Sequence, residues 1–548
     1  MRIVDPLIVA LLGAIGILVV TGGFHYSSPA AKLELSQVDA FAWALLALIV
    51  LRRVLWKKWL PKSVERVADE VLAFFSRNAR FPLTAAIALY VVLQTWNSAW
   101  RYDSFHATAF DLSFVEQALW STTRFGFLHS TLSKGQTYLG EHFSPALGAI
   151  ALLYRAFDSI TFLFFLQSLI LASGAWLVYA LAREKKLPRP IAALTGLAFL
   201  SYQPLRLANN FDFREDNLFV PVFLGMLLAL EKRKWKTFWL LCAASWTIKE
   251  NAAIFTCLTG LWVAGEAQLR RQPKAARERA SATLHGATLA ALSLVVFAVV
   301  NTKITPLFVG QGAGAQTMLR RRMPHFGETN GEILKFMLLH PIQTFLVLAE
   351  PLFQLKAVKY FLDVTLPFLA FVPAAPLVAP IVVAGMVMNL LVNLPTIGFH
   401  YECVIIPFLF YILVAGLARL QRVKKLSGAA IPTLVAISFL LSYGRSPVES
   451  IRHHAPTERD RFVESELEKI PPEASIATQA VLHPHLTHRR DAYLYSPALP
   501  PADYVVFDLD PSRSRYGTPQ LDEAAARIDA KTYDLVLDRE SLKIWKRK

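Results

Sequence analysis

Long apolar runs recur from Pro6 to Tyr443, and they restrict the fold of this chain more than any other feature. A helix needs about 20 residues to cross a hydrocarbon core of about 30 Å, and many of the runs approach that length. Hydrophobic residues make up 54% of the 548 and charged residues only 18%, which is too apolar for a soluble protein of this size. The sequence therefore predicts an α-helical polytopic membrane protein.

The positive charge follows the same pattern. The net charge of +16 does not indicate a nucleic-acid partner, because Lys and Arg are concentrated between the apolar runs and not on one helix face. Basic connections of this kind typically face the cytoplasm. They are 52–66, 183–189, 231–236, 269–279 and 419–425. We therefore expect a multi-pass protein of a bacterial inner or plasma membrane, with a cytoplasmic N-terminus and the other connections outside.

This topology gives about 13 crossings. The predicted crossings are 6–23, 38–55, 82–100, 159–182, 191–207, 217–230, 236–248, 251–266, 283–300, 358–375, 377–394, 401–418 and 429–443. The first run has neither a strongly basic start nor a cleavage site, so we interpret it as a retained helix. The scheme requires that 143–157 and 340–355 do not cross, and we expect both to be juxtamembrane or re-entrant helices.

The chain divides into three predicted parts. Residues 1–80 form a two-helix extension with a basic cytoplasmic loop, and 81–444 form the transmembrane domain, whose extracytoplasmic loop is 101–158. From Arg445 the sequence is polar, and strand-like runs such as YVVFDLD and LKIWK alternate with helix-like runs such as TERDRFVESELEKI. We expect 445–548 to be a small extracytoplasmic α/β domain.

Ionisable side chains collect in five outward segments: FDLSFVEQALW, LGEHFSP, NNFDFREDN, TIKEN and GFHYECVIIP. Charges beside lipid are costly and usually indicate a site. The residues concerned are Asp111, Glu116, Glu141, His142, Asp212, Arg214, Glu215, Asp216, Lys249, Glu250, His400, Tyr401 and Glu402. Structural explanations stay open for each of them, because Asp111 could begin a helix and Lys249 and Glu250 could form an ion pair.

TIKEN interrupts the apolar stretch from Trp235 to Glu266. One continuous helix would hold Lys249 and Glu250 in lipid, at a few kcal/mol for each charge. Two short helices that meet at a charged turn avoid this cost, and such breaks commonly border a substrate cavity.

No cofactor is firmly predicted, but a divalent metal is possible. Its potential ligands are Asp111, Glu141, His142, Asp212 and Glu215, although no close spacing requires a metal. HPHLTH (483–488) matches no standard zinc pattern, and the three cysteines all lie in apolar segments. RRRMPHF (320–326) could bind a phosphate or lipid head groups.

These motifs, in this order, resemble the polytopic membrane family known as domain of unknown function 2079. FDLSFVEQALW, LGEHFSPALGAIALLYRAF, NNFDFREDN, TIKENAAI, GFHYECVIIPFLF and HLTHRRDAYLYS carry the resemblance, which extends from about Trp100 to Lys548. That family is distantly similar to the GT-C glycosyltransferases, such as protein mannosyltransferases and aminoarabinose transferases of lipid A. The resemblance implies a GT-C-like fold and inverting sugar transfer from a polyprenyl-phosphate carrier, in contact with membrane lipids, to a glycan, lipid or protein acceptor.

By the same resemblance, Asp111 takes the place of the acid that serves the acceptor in the first outward loop. It is followed by Leu112 and not by a second acid, so Glu141 stays a competing base. Arg214 and Lys249 are candidate cations for the leaving phosphate. The other predicted substrate-binding residues are His142, Asp212, Glu215, Glu250, His400 and Tyr401.

Two other functions fit the same pattern. Broken helices are also typical of a transporter or flippase of lipid-linked intermediates, although no paired repeats are apparent. A non-enzymatic scaffold or sensor, whose outer domain binds a partner, is the third possibility.

Overall fold

A computed structural model of the chain describes most of its residues. The described residues are 3–27, 32–133, 136–269, 276–309, 326–327, 330–350, 354–391, 396–422, 430–497, 501–511 and 518–548. The segment RRRMPHF, which could bind phosphate, lies outside them except for Phe326.

Helices dominate the described part of the chain, as the apolar runs predict. The α-helices in chain order are α1 Val4–Thr21, α2 Val38–Trp56, α3 Lys62–Asn78, α4 Arg80–Asp103, α5 Phe114–Thr122, α6 Leu147–Phe157, α7 Ile160–Glu184, α8 Arg189–Ser201, α9 Gln203–Asn210, α10 Phe219–Glu231, α11 Trp235–Ile248, α12 Ala252–Leu269, α13 Ala276–Val299, α14 Thr305–Phe308, α15 Asn330–Leu339, α16 Pro341–Ala349, α17 Leu355–Thr365, α18 Ala379–Leu391, α19 Ile406–Leu420, α20 Ala430–Leu440, α21 Pro447–His453, α22 Glu458–Leu467 and α23 Thr518–Ala526.

Every predicted crossing overlaps at least one helix of this set, although the bounds differ. By length and composition, 5 helices of the described part could cross a membrane: Val4–Thr21, Ile160–Glu184, Ala252–Leu269, Ala276–Phe308 and Leu355–Ala374. The described part also contains shorter apolar helices, such as α8 and α19. The chain is a multi-pass membrane protein, and the number of its crossings and the side on which its ends lie stay predictions.

The two apolar stretches that were expected not to cross form short helices. Helix α6 has 11 residues, and at about 1.5 Å per residue it would span about half of a hydrocarbon core. Helix α16 is shorter still, with 9 residues. Both helices are shorter than the about 20 residues that a crossing needs, and their juxtamembrane position stays a prediction.

One predicted crossing, 191–207, is not continuous. Helix α8 ends at Ser201, and Tyr202 adopts an extended conformation with φ −64° and ψ 120° before α9 begins. Pro204 lies in the first turn of α9, and proline lacks the N–H that a continuous helix would need at that position. The hydrophobic pattern therefore concealed a break in the helix.

Helices α12 and α13 approach each other closely at two glycines. A Cβ added to Gly260 would lie 2.5 Å from the carbonyl oxygen of Gly286, and one added to Gly286 would lie 2.6 Å from the carbonyl oxygen of Gly260. The contact thus depends on the absence of a side chain at both positions.

The C-terminal part contains the predicted α/β fold. Its strands are β3 Ile476–Thr478, β4 Ala492–Leu494, β5 Tyr504–Asp508, β6 Tyr533–Arg539 and β7 Leu542–Arg547. The sheet has the order β4-β3-β5-β7-β6, and β3 runs parallel to β4 and β5 while β7 runs antiparallel to β5 and β6. The remaining strands, β1 Phe24–Ser27 and β2 Lys32–Leu35, form a hairpin that the sequence did not predict.

The C-terminal domain packs on the loop that follows α4. Phe105 belongs to the same hydrophobic core as Val463 and Val506 of the domain. The ring of His485 lies between Tyr102 and Phe105, with ring centroids 4.0 Å from each. The start of the loop and the domain therefore form one packed unit, and Phe105 is part of a protein core.

Candidate active site

Asp111 lies in a π-helical turn, Ala109–Ser113, that leads directly into α5. Such turns are rare and often mark functional sites. The side chain of Asp111 is 24% exposed, and its Oδ1 lies 3.6 Å from Nη1 of Arg214. The N-cap of the π turn is Thr108 and that of α5 is Ser113. Asp111 is therefore not an N-cap, but it does lie in the first turn of this helical segment, where its charge suits the helix dipole.

Arg214 belongs to a buried group of four charged side chains. Nζ of Lys249 lies 2.7 Å from Oδ2 of Asp216 and 3.0 Å from Oε1 of Glu215. Nε of Arg214 lies 3.8 Å from Oε2 of Glu215. All four side chains are at most 7% exposed. Two cations and two carboxylates thus offset one another away from water, as buried charges require.

Local breaks in the helices position this charge cluster. Helix α11 ends at Ile248, and Lys249 is extended, with φ −165° and ψ 151°, before α12 begins. The predicted break at TIKEN is thereby confirmed. Glu215 and Asp216 lie in a 3-10 turn ahead of α10.

Gln167 of α7 holds the segment that carries Arg214. Its Oε1 accepts hydrogen bonds from the backbone N–H of Arg214 at 3.3 Å and from Nδ2 of Asn217 at 2.6 Å. Its Nε2 donates to the carbonyl groups of Asn209 and Phe211. One buried amide thus satisfies irregular backbone that would otherwise be costly in an apolar bundle.

The cluster lies in turns outside the predicted crossings, and its members shift one another's pKa. Burial opposes the charge on Lys249, but Asp216 and Glu215 outweigh it and raise the pKa of the amine. Burial also opposes ionisation of Glu215, yet Lys249 and Arg214 lower its pKa well below the usual range. For Asp216 burial prevails over Lys249 and raises the pKa. Glu215 is therefore the firmly ionised carboxylate.

His400 is a buried, neutral neighbour of the cluster. Its side chain is 1% exposed, and Nε2 lies 3.6 Å from Oδ2 of Asp216. Burial, with the charges of Arg214 and Lys249, lowers its pKa well below the usual value. Neither ring nitrogen forms a hydrogen bond to any described residue. The ring of Tyr401 packs beside it, with centroids 4.3 Å apart.

The segment LGEHFSP joins the same region. The hydroxyl of Tyr138 donates to Oε2 of Glu215 at 2.8 Å. Nδ1 of His142 lies 3.0 Å from Oε1 of Glu250, whose other oxygen accepts from the backbone N–H of Phe143 at 3.0 Å. Glu141 lies between these contacts in the chain. The loop 101–158 and the TIKEN break are therefore tied together.

Asp212 has a different partner. Its carboxylate forms an ion pair with Arg101, near the end of α4. Arg101 also donates to the carbonyl of His106 at 2.8 Å and lies over the ring of Phe211, 5.6 Å from its centroid. Asp212 thus fastens the loop to α4, and the ion pairs found in the described residues do not connect it with Lys249.

Sequence reasoning missed three side chains of this region: Tyr138, Gln167 and Arg101. Gln167 had a visible signal, because it is an isolated amide in the apolar run ITFLFFLQSLILA, where polar side chains are usually retained for a purpose. Tyr138 stands three residues before Glu141, but nothing local distinguishes it from other loop tyrosines.

Glu116 connects the loop with the C-terminal domain. Its side chain is fully buried, and Oε1 lies 2.6 Å from both Nε2 of His488 and the hydroxyl of Tyr154. Burial raises the pKa of Glu116, but His488 outweighs it and the net shift is downward. Burial conversely lowers the pKa of His488, but Glu116 outweighs it and the net shift is upward. The pair is therefore ionic.

Four of the predicted metal ligands, Asp111, His142, Asp212 and Glu215, form ion pairs with other side chains. No three His, Cys, Asp or Glu side chains are arranged to hold a metal ion in the part of the chain that the structure describes. In HPHLTH, His485 lies 2.6 Å from Glu464 and His488 binds Glu116. This tract joins the domain to the loop.

Residues 101–531 match the family described as predicted membrane protein, DUF2079. The chain belongs to this family. The sequence of this DUF2079 protein matches no curated protein significantly.

Among solved structures, the DUF2079 chain is similar to ArnT from Cupriavidus metallidurans. The apo state has a TM-score of 0.48 at 13% identity, over 84% of this chain and 97% of that one. The form bound to undecaprenyl phosphate has a TM-score of 0.46 at the same identity and coverage. The Archaeoglobus fulgidus oligosaccharyltransferase complex with Zn and sulfate has a TM-score of 0.40 at 11% identity, over 78% and 68%.

Proposed function

We propose that this protein is a membrane glycosyltransferase that moves a sugar from a polyprenyl-phosphate carrier to an extracytoplasmic acceptor. The proposal depends on one observation: the partly exposed carboxylate of Asp111 lies 3.6 Å from the buried guanidinium of Arg214. Sugar transfer from a lipid phosphate needs a base for the acceptor and a cation for the leaving phosphate, close together. This pair offers both groups.

Asp111 acts as the base in this proposal. The acceptor hydroxyl or amine attacks the anomeric carbon, its proton passes to Asp111, and the bond between that carbon and the phosphate oxygen breaks. The carrier leaves as polyprenyl phosphate, and a single displacement inverts the anomeric configuration. Glu141 stays the competing base.

Arg214 receives the phosphate. Its contact with Asp111, at 3.6 Å, is longer than a hydrogen bond, and its Nε has no hydrogen-bond partner among the described residues. The guanidinium therefore has donors to offer to phosphate oxygens. His400 can add one neutral N–H, while Lys249, already held by Glu215 and Asp216, keeps the turn in place.

The remaining predicted residues support this arrangement. His142 and Glu250 tie the loop to the break between α11 and α12, and Asp212 ties it to α4. Tyr401 packs against His400. For the carrier we propose the class of lipid found in the bound ArnT structure, undecaprenyl phosphate.

The test is the substitution Asp111→Asn. Loss of a positioned base should lower transfer by about 100-fold or more, measured as release of labelled sugar from undecaprenyl phosphate by the full-length protein in nanodiscs, and as modification of envelope glycans in cells. Asp69→Asn, an equivalent change on the exposed surface of α3, should have no effect.

The outcomes distinguish the hypotheses. Normal transfer by Asp111→Asn, together with a loss in Glu141→Gln, would move the base to Glu141. Movement of the lipid across vesicles, without sugar transfer and unaffected by Asp111→Asn, would identify a flippase instead.

A further inference from the structure

A cavity of about 920 Å³ lies outside the charge cluster. Its walls come from the first turn of α2, from α9, from α17 and from the chain around α21. Helix α2 precedes residues 101–531, which match the family. The cavity is therefore built partly from the N-terminal extension of this chain.

The cavity and the charge cluster share two stretches of chain. Asn210 lines the cavity and precedes Arg214 by four residues, and Ile397 lines it and precedes His400 by three. An extended chain covers at most about 3.6 Å per residue, so Asn210 lies within about 15 Å of Arg214, and Ile397 lies within about 11 Å of His400, the neighbour of the cluster. The cavity therefore borders the chain segment that carries Arg214, whose guanidinium lies beside Asp111.

The lining of the cavity mixes polar and apolar groups. It includes the amides of Gln37, Gln203 and Asn210, beside apolar residues such as Leu207, and the imidazole ring of His453 also lines it. Amides together with charged side chains suit a ligand that carries many hydroxyl groups.

The charges of the cavity favour an anion. Four Lys or Arg side chains line it against three carboxylates. Lys359 pairs with Asp363 at 2.5 Å and Arg445 with Glu449 at 3.2 Å. The remaining charged side chains of the lining are one carboxylate, Asp39, and two arginines, Arg206 and Arg452, which leaves a net positive charge.

Arg206 supplies the permanent part of this field. It is 6% exposed, and its guanidinium donates to the backbone carbonyls of Ser201, Tyr443 and Arg445. No ion pair to a carboxylate is found for it among the residues that the structure describes. A buried cation without a counterion makes the potential of the adjoining cavity positive.

Building on the proposed glycosyltransferase activity, we propose that this cavity binds the acceptor, and that the acceptor is a saccharide bearing a phosphate or carboxylate group. It reaches the cavity either as a free sugar or as the head group of a glycolipid. The chemistry is shared by both sources, and only the membrane anchor differs between them.

The experiment measures binding to the full-length protein in nanodiscs by calorimetry. Glucose 1-phosphate and glucuronic acid probe the free source, and dodecyl glucuronide probes the membrane-anchored one, with glucose and dodecyl glucoside as neutral counterparts. The anionic probe should bind at least about 10-fold more tightly than its neutral counterpart. Binding of the free sugars supports a soluble acceptor, and binding of the alkyl glucuronide alone supports an anchored one.

Variants locate the binding. Arg452→Gln should weaken it about 10-fold and Asp39→Asn should strengthen it, because the two changes act on the field of the cavity in opposite directions. Arg422→Gln, the same change at an exposed position far along the chain, should have no effect. Absence of binding, equal binding of the neutral sugars, or insensitivity to both cavity variants would each overturn the proposal.

Binding and transfer can fail separately. Asp111→Asn should still bind the anionic sugar while it loses transfer. If transfer depends on Asp111 but no anionic sugar binds, the cavity is not the acceptor site and the proposed activity stands. If the sugar binds but no transfer is found in any assay, the proposed activity falls.

Discussion

At the scale of single residues, the positions of charged side chains in the sequence indicated where the candidate site lies. Arg214 and Lys249 stood out because charges are costly next to apolar runs, and the structure buries both in one cluster. Their partners could not be chosen from the sequence. Asp212 and Asp216 are four positions apart in the same motif, yet one pairs with Arg101 and the other with Lys249. The direction of each side chain depends on turns that the hydrophobic pattern does not encode.

The pair of Glu116 and His488 makes a residue-scale prediction about pH. Glu116 has a lowered pKa, so its contribution is lost only as the pH falls through that value. His488 has a raised pKa, so its contribution is complete below about pH 6.5 and is lost as the pH rises through the raised value. The coupling should therefore be largest near pH 6 and small at pH 9.

A double-mutant cycle with Glu116→Gln and His488→Gln measures this coupling through the thermal unfolding of the purified protein. We expect about 1 kcal/mol at pH 6. His340→Gln, at an exposed position, serves as the control. A coupling that is the same at both pH values would show that the contact is not ionic in solution.

At the scale of elements, the apolar runs determine where the helices lie but not how each one ends. The charged break at TIKEN was visible because charges interrupt an apolar run. The break at Tyr202 was hidden, because apolar residues continue past it on both sides. The π turn at Ala109–Ser113 was hidden as well, because its geometry depends partly on a hydrogen bond from Ala109 to the carbonyl of Ala480.

The close contact of α12 and α13 gives a prediction for two glycines of one helix. Gly260→Leu should destabilise the protein by about 1 to 3 kcal/mol, because backbone atoms of α13 occupy the space. Gly265→Ala should be neutral or stabilising, since nothing lies within 4 Å of the added carbon. Melting temperature and monodisperse yield in detergent measure both effects, and equal behaviour of the two variants would refute the contact.

For the whole molecule, composition was enough to indicate a membrane protein, and the alternation of strand and helix patterns was enough to indicate the C-terminal α/β domain. The packing of this domain against the loop could not be predicted from the sequence. It joins Gln117 to the backbone of Arg489 and Arg490, and Tyr102 to Pro484, across several hundred residues. Contacts between residues so far apart in the chain produce no periodic pattern in a single sequence.

The predicted orientation is testable with single cysteines. Ser465→Cys lies on the exposed surface of the C-terminal domain and Ser63→Cys on that of α3. In intact cells a membrane-impermeant maleimide should label only the first, and after lysis it should label both. Labelling of Ser63→Cys in intact cells would reverse the orientation, and the native protein, with its three cysteines, gives the background.

The contact between the loop and the C-terminal domain also determines when, during biosynthesis, the loop can reach its final conformation. Gln117 and its partner Arg489 are 372 residues apart, and ribosomes add about 5 to 20 residues per second. The segment that carries Asp111 therefore leaves the ribosome about 20 to 70 s before the domain that braces it. A chain that still lacks this domain cannot hold the carboxylate of Asp111 in its final geometry, so the proposed base is positioned only after the domain has been made.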